Sequence, residues 1–469
     1  MKFRRIALLA CSMAALVASP AVAADGGDAE ARRRVLVLTD IGNEPDDSES
    51  FVRFLLYSNT FDIEGIVATT STWQRTKNQP DLLRERVAAY AKVLPNLRKH
   101  ADGYPEPATL LNAISVGASC YGMACVGDGR DTDGSRRIIA AVDKDDKRPI
   151  YLSVWGGAID LAQALWTVRK TRTPEQVAAF TARLRVYSIS DQDDAGPWAR
   201  RNFPDLQWVA SVHGWGQYGQ AAWTGISGDL FGKDKWPAGE MVTNAWLKEN
   251  IRKGPLGEMY PPHMFIMEGD TPAFLGTIPN GLNFPDRPDW GGWGGRYTPV
   301  YEGAAHYGDA PDAFTDPTGR TWRTNQATIF RWREAFQNDF AARINWTLTP
   351  DRKKANHNPR AIVNGVAGLA PVTVEGVAGA ALKISAKGTT DPDGNALSYR
   401  WWQYAEPSDV PGDPSPKLKI ADAESADCTV TLPSVKAERT LHLILEVKDD
   451  GAPALTSYRR VIVRVKPAA

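Results

Sequence analysis

The chain has 469 residues, 43% of them hydrophobic and 23% charged, a composition that fits a folded globular protein and excludes a disordered or fibrous one. This length exceeds what one ordinary core covers, so two domains are expected. Lys plus Arg and Asp plus Glu each number 55, and the resulting zero net charge gives no electrostatic reason to expect nucleic acid or a membrane surface as partner.

The first elements in chain order are targeting signals. Lys2, Arg4 and Arg5 make a basic start, Ile6 to Val17 is an apolar run too short to span a bilayer, and Ala21-Val22-Ala23 is a small-x-small cleavage signal. Residues 1–23 therefore read as a signal peptide cleaved after Ala23, which predicts an exported protein, periplasmic or secreted and soluble. Export permits disulfides; Cys120 and Cys125 are close enough to pair across a loop, leaving Cys428 as a free thiol.

Arg34 to Asp40 (RVLVLTD) is a short apolar run ending in an acid, the pattern of a buried parallel strand. Phe51, Val52, Leu55 and Leu56 then fall at helical spacing. Ile63 to Thr70 is a second strand and Leu82 to Leu97 a second helix. After the Gly-rich stretch Gly127 to Gly134, Pro149 to Val154 is a strand, Ala158 to Val168 a helix and Leu184 to Ser190 a strand, with Leu206 to Val212 as a further candidate. This alternation predicts an α/β domain with a mostly parallel sheet and helices on both faces. Near Pro350 the helical patterns stop. Asn356 to Arg360 reads as linker, and Ala381 to Ala386, Leu397 to Tyr404, Cys428 to Leu432, Thr440 to Lys448 and Ser457 to Val465 read as short strands between Asp/Gly/Pro turns. That pattern predicts a C-terminal all-β, immunoglobulin-like sandwich. The expected divisions are a main domain over 32–346, a linker over 347–360 and the sandwich over 361–469.

Ligands of open α/β sheets bind at the C-terminal strand ends. The segment Thr39-Asp40-Ile41-Gly42-Asn43-Glu44-Pro45-Asp46-Asp47 occupies such an end. Asp40 closes the strand, Gly42 permits a tight turn, and Asp46 and Asp47 open the helix. Helix capping accounts for one of these acids; three converging carboxylates are instead the hard oxygen set that suits Ca²⁺ or Mg²⁺. Asp193 and Asp194, in the run Asp191 to Asp194, follow another strand and are candidates for a leaving-group acid or sugar ligand, with a turn cap as the alternative. Trp290 and Trp293, in a Gly-rich loop, are candidates for a sugar-stacking platform. His213 follows the last candidate strand and is a weaker candidate for substrate contact. In the tail, Asp391, Asp393 and Asp449 are read as turn formers, with Ca²⁺ binding as the alternative. No zinc spacing and no Gly-x-Ser-x-Gly elbow is present.

TDIGNEPDD, followed by a helix and by DIEGIVATTSTW, resembles the opening of the nucleoside hydrolase superfamily. The blocks GRDTDGS at Gly129 to Ser135, Trp155-Gly156-Gly157, SDQDDAGPW at Ser190 to Trp198 and EGDTPAFLGTIPNGL at Glu268 to Leu282 resemble a divergent secreted branch described as cellulose-binding. The loop departs from the superfamily pattern: Leu38 stands where its first Asp would be, and two residues are inserted before Asp46. The resemblance implies Asp40 as general base and calcium ligand, Asp46 as sugar-hydroxyl ligand, and Asp47 and Asp270 as calcium ligands, with Mg²⁺ as the other oxygen-liganded cation. The function it implies is hydrolysis of glycosyl bonds, N-glycosyl bonds included, by metal-assisted attack of water on an anomeric carbon. The alternative is a non-catalytic protein that binds cellulose or another polysaccharide. The expected partner is thus a carbohydrate or nucleoside-like molecule.

Overall fold

The computed structural model describes residues 32–211, 217–229, 236–410 and 412–468. The first strand, β1 (Arg33–Thr39), is followed by helix α1 (Asp46–Leu56), β2 (Phe61–Ala68) and α2 (Pro80–His100). Then come α3 (Pro107–Ala113), β3 (Ile114–Val116), α4 (Asp133–Asp143), β4 (Ile150–Val154), α5 (Ile159–Thr171), α6 (Pro174–Thr181), β5 (Leu184–Ser188), α7 (Ala195–Asn202) and β6 (Gln207–Ala210). Two later strands, β7 (Tyr297–Pro299) and β8 (His306–Asp309), complete an eight-stranded sheet of order β3-β2-β1-β4-β5-β6-β8-β7. Every pairing in it is parallel except β7 with β8.

Both faces of this sheet are covered, as the two-residue period of β1 requires. Val35 and Val37 point into a core with Phe51, Leu55, Val87 and Tyr90 of α1 and α2. Leu36 and Leu38 point into a second core with Ile138, Ile159, Leu165 and Trp208. Strand order reverses direction between β1 and β4, and such a reversal opens a crevice at the strand ends. Asp40 leaves β1 and Trp155 leaves β4, so the reversal lies where the acidic loop begins.

After a two-stranded hairpin of β9 (Asp312–Thr315) and β10 (Thr321–Thr324) and the helix Arg333–Leu348 comes a β-rich region of β11 (Val372–Val377), β12 (Ala381–Ser385), β13 (Leu397–Tyr404), β14 (Lys419–Ala421), β15 (Asp427–Thr431), β16 (Arg439–Asp449) and β17 (Thr456–Lys466), which form a four-stranded sheet, β11-β17-β16-β13, and a three-stranded sheet, β12-β15-β14. Ile384, Cys428 and Val430 of the smaller sheet share one core with Trp401, Leu443, Leu445, Val461 and Val463 of the larger. The segment expected to be a loose linker is instead fastened down. Asn356 and His357 are buried, Asn356 Nδ2 donates to Asp449 Oδ1 (2.9 Å), and the His357 backbone N–H donates to Asp393 Oδ2 (2.7 Å). Cys120 and Cys125 are disulfide-bonded, and Cys428 is free and buried. Among the described residues no helix is long and apolar enough to cross a membrane.

Candidate functional site

The loop after β1 is held in shape from outside. Gly42 has φ +106°, a conformation that strains any residue with a side chain, and a Cβ there would lie 2.2 Å from Gln79 Nε2 and displace it. Gln79 Nε2 donates to the Gly42 carbonyl (3.0 Å) and Gln74 Nε2 to the Asp40 carbonyl (2.9 Å). Asp46 and Asp47 then begin α1, where the dipole of the helix favours acids. Asp270 arrives on a separate turn, clamped from behind. Glu268, at φ +53°, pairs with buried Arg53 of α1 through Nε (2.6 Å) and Nη2 (2.9 Å), and its own N–H donates to Glu49 Oε2 (2.8 Å).

These constraints bring Asp46, Asp47 and Asp270 together: each offers one carboxylate oxygen, all within 4.8 Å of one another. Asp40 and Glu44 line the same cavity, of about 400 Å³, with Trp73, Ile189, Ser190, Gln192, Tyr218 and Trp223. Ser71 Oγ–H donates to Asp40 Oδ2 (2.5 Å), and a Cβ on Gly156 would lie 2.6 Å from Asp40 Oδ1, so the turn after β4 leaves that oxygen its room. Thr39 donates to Asp47 Oδ1. Asp270 Oδ2 is buried and has no hydrogen-bond partner.

The electrostatics follow from burying like charges. Burial, opposed by the Ser71 hydrogen bond and reinforced by Glu44, pushes Asp40 up to about 6. Burial and then the charges of Glu44 and Asp40 push Asp46 up to about 7. Asp47 and Asp270 are raised well above the usual carboxylate range by burial first and by their acidic neighbours second. Hard oxygen donors, converging, buried and one of them unpartnered, fit a divalent cation, which would remove this repulsion and satisfy the orphaned oxygen.

The other expected residues fall elsewhere. Asp193 and Asp194 do not line the cavity. Asp193 Oδ1 accepts from the Ala195 N–H (3.0 Å), its Oδ2 is buried without a partner, and burial pushes its carboxyl up to about 7. Asp194 precedes α7 and accepts from the Met123 N–H (2.7 Å). Their neighbour Gln192 is the one that reaches the cavity, and its Nε2 donates to the Trp155 carbonyl (2.7 Å). The expected indole platform is corrected: Trp293 is 1% exposed and packs edge-on against Phe336 and Tyr458, while Trp290 stacks on Phe284 and abuts His442. Both belong to the seam with the β-rich region and show no face to the cavity. His213 lies outside the described residues. Aromatic groups that the strand pattern did not single out stand in their place: Trp73, 48% exposed, and Phe265, 57% exposed, flank the acids together with Tyr218 and Trp223. Ser71 and Trp73 follow β2 at the same sheet edge, so the strand-end rule applied to β2 finds them.

The chain matches two family models, one described as cellulose-binding Sde182, nucleoside hydrolase-like domain, over residues 34–297, and one described as cellulose-binding protein Sde0182, C-terminal domain, over residues 381–465. Among solved structures it is similar to a nucleoside hydrolase-related hypothetical protein from Saccharophagus degradans associated with carbohydrate metabolism, at 36% identity and TM-score 0.79, covering 93% of this chain and 100% of that one. The effector protein XOO4466 (12% identity, TM-score 0.31, 59% of this chain and 87% of that one) and a PKD domain from the KIAA 1837 protein (22%, 0.16, 21% and 86%) are too distant to carry an argument. No curated protein matches the chain.

Proposed function

This chain belongs to the family of the cellulose-binding Sde182 nucleoside hydrolase-like domain, and from that premise we propose that it is an exported hydrolase of glycosyl bonds, N-glycosyl bonds included, acting at the acidic cluster. The observation that carries this reading is the convergence of Asp46, Asp47 and Asp270 beside Asp40 at the floor of an aromatic-walled cavity. In this proposal Asp46, Asp47 and Asp270 hold a divalent cation, with Ca²⁺ the first choice. When bound, such a cation would draw in vicinal sugar hydroxyls and make a neighbouring water more acidic.

Asp40 is the proposed general base. Raised to about 6, it is deprotonated at neutral pH yet basic enough to take a proton from water. Ser71 holds Oδ2, which leaves Oδ1, beside Gly156, to receive that proton. The remaining carboxylates stabilise positive charge that develops on the sugar ring as the glycosyl bond breaks. Trp73, Tyr218 and Trp223 would stack on sugar or leaving group and exclude water. Export is supported by the basic, apolar and small-x-small segments before Ala23. The tail is proposed as an immunoglobulin-like sandwich, supported by two sheets closing on one core, with a boundary near residues 347–360.

A second reading is favoured by the exposure of Trp73, Met264 and Phe265 at the rim: a polysaccharide-binding protein that uses the same cavity without turnover. The two are separated by Asp40→Asn on a panel of glycans and nucleosides. Loss of free-sugar release with binding retained supports the hydrolase; binding by the wild type with no release from any panel member supports the binding protein.

A further inference from the structure

Away from the cavity, two turns of the β-rich region lie side by side. Asp391 Oδ1 accepts from the N–H groups of Asp393 and Asn395 (2.9 Å each). Asp449 Oδ1 accepts from the N–H groups of Gly451 and Leu455 and from Asn356 Nδ2 (2.9 Å each). The turns are stitched together where the Ala396 N–H donates to Asp450 Oδ1 (2.8 Å) and the Asp450 N–H donates to the Ala396 carbonyl (3.1 Å). Turn formation thus accounts for one oxygen of each carboxylate.

It does not account for the other. Asp391 Oδ2 and Asp449 Oδ2 are both buried and without a hydrogen-bond partner, and Asp449 is only 4% exposed. Among the described residues no Lys, Arg or His forms an ion pair with either group; the neighbouring Asp393 carboxylate is the one taken by His357, at 2.9 Å from Nδ1. Burial first, and then the charge of Asp391, raises the Asp449 carboxyl. The buried Asp449 and the half-buried Asp391 thus each keep one oxygen out of water with no donor, an arrangement that a positive partner would relieve.

We propose that Asp391 and Asp449 hold a second divalent cation, calcium, separate from the acidic cluster and structural in role. Calcium suits the place because it accepts irregular oxygen sets completed by backbone carbonyls and water, whereas magnesium demands a near-octahedral one. The site lies where the chain enters the β-rich region: Asn356 Nδ2 also donates to the Pro453 carbonyl (2.9 Å), so the cation would lock the entering segment and both turns into one unit. The inference is independent of any catalytic role for the cavity.

The test uses the full chain carrying Asp46→Asn, Asp47→Asn and Asp270→Asn, which silences the other cluster and relieves its repulsion. Equilibrium dialysis against Ca²⁺ alone should leave one equivalent bound, and calcium should raise the Tm. Adding Asp391→Asn and Asp449→Asn should abolish both effects. Asn keeps the Oδ1 acceptor of each turn, so folding is expected to survive, and circular dichroism checks it. The single variant Asp391→Asn, milder still, should weaken calcium binding at least tenfold. No bound calcium in the three-Asn protein, or calcium retained unchanged after Asp391→Asn and Asp449→Asn, overturns the proposal.

Discussion

The Asp270 turn is positioned by a buried ion pair, and removing one half of it gives a sharp expectation. Arg53 and Glu268 are both 0% exposed in their side chains. Arg53 meets Glu268 through two hydrogen bonds and also donates to the Phe336 carbonyl (3.1 Å) and to Gln337. Arg53→Met keeps the stem but strands the Glu268 carboxylate in the core, with only Tyr260 Oη (2.8 Å) and Thr271 Oγ1 (2.8 Å) still donating to it. Breaking a buried pair from one side costs about 3–5 kcal/mol, most of it the penalty of the uncompensated charge. Adding Glu268→Gln in the same chain removes that charge and should recover more than half of the loss. Urea denaturation of the full-length protein, followed by tryptophan fluorescence, measures both variants against wild type. As a control, Arg464→Met breaks an exposed pair with Glu375 and should change stability by no more than about 0.5 kcal/mol. A loss below about 1 kcal/mol for Arg53→Met, or no recovery in the double variant, would refute the view that a desolvated charge pair fixes this turn.

Two further outcomes follow from the same physics. His442 is buried and accepts from Arg460 Nη1–H at Nδ1 (2.9 Å); burial first, then the charges of Arg460 and Arg287, push it down to about 2, so the fold holds it neutral. Its contribution is fully present above its ordinary value of 6.5 and is lost as pH falls toward 2, because the unfolded chain takes up the proton first; His442→Gln should flatten the acid limb of stability by up to about 1.4 kcal/mol per pH unit, measured by urea midpoints from pH 7 to 4. Gly42→Ala should push Gln79 aside and tilt the loop that carries Asp46 and Asp47; calorimetric titration should show calcium binding at that cluster weakened at least tenfold, while thermal unfolding shows a folded chain.

Much of this was legible in the sequence, for identifiable reasons. The strands β1, β4, β5 and β13 announce themselves because each is a short apolar or alternating run with a clear end. The acidic loop is legible because strand-end carboxylates have no purely structural use in such number. The helix Arg333–Leu348 escapes pattern reading because it is buried on most sides: Arg333, Gln337, Asp339 and Arg343 are buried alongside Phe336 and Phe340, so no polar stripe marks its period. Trp293 misleads because Gly-rich, Trp-bearing loops look alike whether they face solvent or, as here, the seam with Tyr458. The partner of Asp46 and Asp47 is a long-range fact: Asp270 is named by the family resemblance and not by any local spacing, and in the fold Arg53 on α1 holds the neighbouring Glu268.

The central claim is that the Asp46, Asp47 and Asp270 cluster makes this cavity a cation-dependent hydrolytic site. Its most direct test is the initial rate of free-sugar release by the wild-type chain on a glycan and nucleoside panel, taken after chelation and again after reloading with calcium. No release is expected after chelation, and restored release after reloading for at least one panel member. Panel members that bind to the calcium-loaded protein but are never cleaved would contradict it.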